Sequence, residues 1–256
     1  MMMSTALVAL ITVSTFLTAI LSGIFGMAGG IIMMALLLGV MPVASAMVVH
    51  AAIQLVSNGW RCILWRKHIV WRVTPVYGLG ILAGVILISF VRYVPDKTVA
   101  LIVVGSVPLL ALLAGRFIHL SILNPVQTFI TSLILTFIQM TGGVVGPLLD
   151  LLYNNAPLTR QEIVSTKALT QTVMHLTRLI YFGTLIPLLS GEGGWPEGVE
   201  PVYMLFFMMA AIAGTSAAAP ILKHMDDGLF KKLSRILIVI VSLYCLGRGF
   251  VLLEIQ

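Results

Sequence analysis

Apolar residues fill this chain in long blocks, and polar residues are confined to short breaks between the blocks and to two stripes inside them. Blocks of about twenty apolar residues are the length at which a helix crosses a bilayer, so the pattern predicts a series of membrane helices. The first covers 4–25 and runs into Gly23, Gly26, Gly29 and Gly30, a density of glycine that predicts unwound or closely approached backbone. Positions 31–41 are apolar but reach only about 16 Å as helix, too short to cross alone. Pro42 suits the first turn of a helix over 43–65. Further spans are expected at 73–91, at 98–115 with a kink at Pro108, and at 120–140. A second glycine break, Thr141 to Pro147, and a short apolar piece at 148–153 follow. Thr159 has the position of an N-cap, with Glu162 completing a capping box, for a helix reaching 185. The last two spans are expected at 201–222 and 236–253.

The two breaks and the two polar stripes are one pattern occurring twice. At an interval of 117 residues, Gly26 corresponds to Gly143, Gly29 to Gly146, His50 to Lys167, Gln54 to Gln171, Asn58 to His175 and Arg61 to Arg178. At 100° per residue, 50, 54, 58 and 61 lie within about an 80° arc of one helix face, and the second set does the same. The chain therefore divides into two repeats, 1–116 and 117–256, within one membrane domain. The loop after the first striped helix holds Arg66, Lys67, His68 and Arg72, which the positive-inside rule places in the cytoplasm. The corresponding loop, 190–200, carries Glu192, Glu197 and Glu200 and no cation, so the repeats are expected to be inverted. Inversion needs an odd number of crossings per half; a re-entrant hairpin at each break, or two full crossings there, both satisfy it. The expected fold class is an all-α, polytopic membrane bundle of two inverted repeats with glycine-broken or re-entrant helices.

Composition agrees. Hydrophobic residues are 59% of the chain and charged residues 9%, and mean hydropathy is +1.09, too apolar for a water-exposed surface. The net charge of +6 is spread over short loops, not gathered on one solvated face, so it does not signal nucleic acid. Cys62 and Cys245 stand alone, without metal or redox spacing, and no cofactor or metal is expected. The N-terminus lacks the basic region of a signal peptide and reads as the start of the first span.

The stripes hold amides and basic groups but no carboxylate, and Lys167 lies about two turns into a membrane helix, where a charge is costly without an anion or water. A helix restarting after a break presents unpaired N–H groups and a partial positive charge. The candidate ligand is therefore an anion, held by His50, Gln54, Asn58, Lys167, Gln171 and His175 with Gly26, Gly29, Gly30, Gly143 and Gly146. Each residue also has a plainer reading: amides as interhelical glue, Arg61 and Arg178 as interface anchors, Gly78, Gly80 and Gly84 as helix-packing sites. No catalytic constellation is present, Asp150 being the single carboxylate near either break.

These motifs, Gly23-x-x-Gly26-x-x-Gly29-Gly30 with downstream His50 and Gln54, and Gly142-Gly143 with Lys167-x-x-x-Gln171, resemble the TauE/SafE family of sulfite and organosulfonate exporters over nearly the whole chain. Ala28 stands where that family often has another glycine. The resemblance implies a multi-pass transporter of the prokaryotic inner membrane that exports small sulfur-containing anions such as sulfite or sulfoacetate, by alternating access, with protons or sodium as candidate coupling ions. Lys167 and His50 would supply positive charge, and His175 would help couple protonation. The rival readings are an anion channel and a non-transporting membrane assembly protein.

Overall fold

The computed structural model describes residues 3–25, 28–115, 117–153, 156–191, 194–224 and 227–255, and within them the regular structure is helical, with no strand. The first half of the chain supplies α1 (Thr5–Phe25), α2 (Ala28–Val40), α3 (Val43–Leu64), α4 (Thr74–Val91) and α5 (Lys97–Ala114). The second half supplies α6 (Pro125–Gly142), α7 (Gly146–Tyr153), α8 (Arg160–Ile180), α9 (Ile186–Ser190), α10 (Pro201–His224) and α11 (Asp227–Ile255). Six described segments are long and apolar enough to cross a membrane. Both α3 and α6 have the length but are less apolar than those six, while α2 and α7, at 13 and 8 residues, are too short to cross. Phe90 and Leu188 are 80% and 79% exposed, tolerable only where hydrocarbon covers them.

Three boundaries differ from expectation for local reasons. The sixth helix starts at Pro125, not 120, because the Asn124 side chain accepts from the Gln127 N–H (3.1 Å) and Pro125 sits in the first turn. Gly29 and Gly30 lie inside the first turns of α2, so the first break is narrower than the glycine run suggested; Gly26 falls outside the described residues. The last helix begins at Asp227 instead of 236. The Thr159–Glu162 capping box forms as expected. Beyond α8 the chain does not stop: a π-helical turn, Tyr181–Leu185, joins it to α9, and Phe182 accepts at its carbonyl from the Gly194 N–H.

Packing follows one rule in both halves. Helix α1 packs on α10 as α6 packs on α4, and α3 crosses α8 while α5 crosses α11. Glycines permit the close approaches: a Cβ at Gly80 would meet Ser132 and the Phe129 carbonyl, one at Gly84 would meet Thr136, and one at Gly105 would meet Leu246 and the Ser242 carbonyl of α11. Gly78 corrects its expected packing role, since a Cβ there would meet nothing within 4 Å. Helices α3 and α8 run antiparallel: His50 meets Arg178, and further along α3 a Cβ on Gly59 would lie 3.7 Å from Thr172.

Candidate functional site

Where α3 crosses α8, the two broken segments meet them and enclose a polar pocket. Its walls include His50, Gln54 and Asn58 of α3, Gln171 and His175 of α8, Ser22 of α1, Gln139 of α6, Gly30 near the start of α2, and Gly143 to Gly146 from the second break. The cavity is about 20 Å3, room for one ordered water. Eight of the residues lining it, Gly30, His50, Gln54, Asn58, Gly143, Gly146, Gln171 and His175, belong to the two repeated patterns. The beginnings of α2 and α7 both reach the pocket, at Gly30 and Gly146, and bring the positive end of a helix dipole to it.

The hydrogen bonds fix several protons. His50 Nε2 lies 2.9 Å from the Gly30 carbonyl, which can only accept, so Nε2 carries the hydrogen. Arg178 Nη2 donates to His50 Nδ1, and an arginine can only donate, so Nδ1 carries none. His50 is therefore neutral. This corrects its expected role as a source of positive charge: it orients Arg178 instead. Gln139 Nε2 donates to His175 Nδ1 at 3.1 Å, leaving that ring's proton on Nε2, and the two imidazoles lie edge to face with centroids 5.7 Å apart. Asn58 donates to the Gln54 backbone carbonyl (2.9 Å) and to Gln54 Oε1 (3.3 Å), and its Oδ1 accepts from Arg61 Nη1 at 3.2 Å.

Both striped arginines are interior residues. Arg178 is 0% and Arg61 6% exposed, which overturns their reading as interface anchors. Arg178 lies mid-helix because the π turn and α9 carry the chain on to Ser190. Its Nε and Nη1 are buried without a hydrogen-bond partner, as is Nη2 of Arg61. Among the described residues neither guanidinium has a carboxylate partner. A buried cation without a counter-charge is strongly unfavourable in a membrane interior, and an anion or water relieves it.

Lys167 is placed differently from expectation. It does not line the pocket; its ammonium is ion-paired with Asp150 of α7. The carboxylate arrives from another helix, 17 residues upstream, so the stripe pattern on α8 alone did not reveal it. Gly29 also stays out of the lining, because it packs α2 on α1: a Cβ there would meet the Thr18 carbonyl and Ser22 Oγ. Ser22 and Gln139 were missed, yet they stand at the same interval of 117 that relates the other pairs. Among the described residues no His, Cys, Asp and Glu group has metal-ligand geometry.

Gly143 ends α6 with φ of +74° and accommodates Arg178, whose Nη1 a Cβ would strike. Gly143→Ala is expected to cost about 1–2 kcal/mol in left-handed backbone alone and to displace the guanidinium. Detergent-solubilised protein should then melt lower and lose anion stabilisation, whereas Gly78→Ala, with open space around it, should do neither.

The family model described as Sulfite exporter TauE/SafE matches residues 11–245, nearly the whole chain. No curated protein and no solved structure gives a match.

Proposed function

We propose that this chain, which belongs to the TauE/SafE sulfite exporter family and is thus a multi-pass membrane transporter and not an enzyme, carries a small sulfur oxyanion or organosulfonate outward across a prokaryotic inner membrane by alternating access. The observation that carries this reading is the fully buried Arg178, with two unpartnered nitrogens and no carboxylate partner among the described residues, at the wall of a pocket lined by amides and imidazoles. Such a site offers donors and positive charge, so its ligand is anionic. The Gln54 and Gln171 amides are placed to donate to substrate oxygens, Gly30, Gly143 and Gly146 bring backbone close, and His175 has a proton on Nε2.

Two inverted repeats, 1–116 and 117–256, suit the exchange of access. The reading is supported by the antiparallel crossing of α3 and α8 and by the partner pattern, in which α1 with α10 mirrors α6 with α4. A cavity with room for only one water has to open for a sulfur oxyanion, so binding and gating are linked steps.

The test is thermal stabilisation of the purified protein by sulfite, sulfate, thiosulfate, sulfoacetate, taurine, phosphate and chloride. Ligand at a hundred times its Kd stabilises by about 2.7 kcal/mol, so a selective rise with a sulfur oxyanion or sulfonate is expected. No rise with any of them would defeat the proposal.

A further inference from the structure

The pocket has charge on both flanks, and the second flank has no role in the reading so far. Arg61 is the repeat counterpart of Arg178. Each is at least 94% buried, each donates to a residue lining the pocket (Asn58 for Arg61, His50 for Arg178), and each keeps at least one guanidinium nitrogen unpartnered.

The charges at the two ends balance in the same way. In the first repeat His50 is neutral, and position 33, the counterpart of Asp150, is Met33. In the second, the basic Lys167 is offset by Asp150. What remains at each end is one uncompensated arginine. Since α3 and α8 are antiparallel, Arg61 lies at the far end of the crossing from Arg178. The eleven residues from His50 to Arg61 span about 16 Å of backbone along the axis, and the two cations reach the pocket through different residues, Arg61 through Asn58 and Arg178 through His50. The Arg61 end adjoins the basic loop: the turn Arg66–His68 packs on α8, and the Val70 N–H donates to Thr166 Oγ1, beside Lys167.

We propose that Arg61 is a second anion station, on the side of the basic loop, from which a small oxyanion passes through the pocket to Arg178. This rests on the anion-transport reading above. With the positive-inside orientation, Arg61 is the capture site facing the cytoplasm and Arg178 the site beyond it. Two stations of like charge make the path reversible at each step, because an anion bound at one is drawn towards the other and neither holds it irreversibly.

The experiment compares sulfite transport in membrane vesicles of the two orientations, with sulfite stabilisation of the purified protein as the binding readout. Arg61→Gln should keep stabilisation at saturating sulfite, through Arg178, while KM for sulfite presented from the basic-loop face rises at least tenfold and KM from the opposite face stays within twofold. Arg61→Lys, which keeps the charge but loses the planar fork, should show the same one-sided change at smaller amplitude and serves if Arg61→Gln does not fold. Equal KM changes from both faces, or none from either, would overturn the second station. Failure of sulfite and the other anions to stabilise the wild-type chain would instead defeat the transport reading beneath it.

Discussion

Arg178→Gln abolishes anion-induced stabilisation and sulfite transport, while the ligand-free protein melts at the same temperature or higher. Two opposite effects follow from one geometry. The guanidinium is fully buried, with Nη2 on His50 and with Nε and Nη1 unpartnered. Without ligand, its removal relieves an uncompensated charge in a low-dielectric interior. With ligand, the loss of a buried charge-assisted contact costs about 2–5 kcal/mol, roughly thirtyfold to several thousandfold in affinity. Arg178→Lys should not rescue binding, because the ammonium's donors all radiate from one atom and do not span the His50 ring and an anion as the planar fork does. A variant that melts far lower without ligand would show that Arg178 is a structural group; one that keeps full stabilisation by anions would remove it from the site.

The sequence carried the helices and most of the pocket. His50, Gln54, Asn58, Gln171, His175, Gly30, Gly143 and Gly146 were all legible from two breaks and two stripes at one interval, and all line the cavity. Ser22 and Gln139 were legible by the same interval but were outside the glycine and stripe patterns that drew attention. Arg178 was misplaced for a physical reason: a cation followed by a short apolar stretch looks like a helix end, whereas the π turn at Tyr181–Leu185 lets the helix continue and keeps Arg178 inside. The Lys167 ion pair was hidden because its partner belongs to α7, and no periodicity on one helix reports a contact with another. Gly29 and Gly30 are adjacent in sequence and sit in the same glycine run, but they face opposite ways. One packs on Thr18 and the other opens on Gln54, with a Cβ at Gly30 only 3.3 Å from Gln54 Nε2. Only the path of the chain separates a packing glycine from a lining one.

The Lys167–Asp150 pair gives the second large effect, and it changes what a Lys167 substitution is expected to do. From the stripe alone, Lys167→Met should abolish transport in a folded protein. The ion pair makes it a folding lesion first: with side chains 9% and 21% exposed, the two groups are mostly desolvated, and removing one strands the other. Breaking a buried pair costs about 3–5 kcal/mol, less here because the carboxylate keeps some access to solvent. Lys167→Met should therefore melt markedly lower, as should Asp150→Met. The double variant Lys167→His with Asp150→Met gives these two positions the residues found 117 positions earlier, His50 and Met33, and should recover stability and anion binding. A thermal double-mutant cycle with the two Met variants reads the coupling directly, and about 2 kcal/mol or more is expected. If instead Lys167→Met melts normally but loses anion stabilisation, and the double variant is no better, then Lys167 touches the anion. The net positive charge at that end of the pocket would then lie on the lysine and not on Arg61.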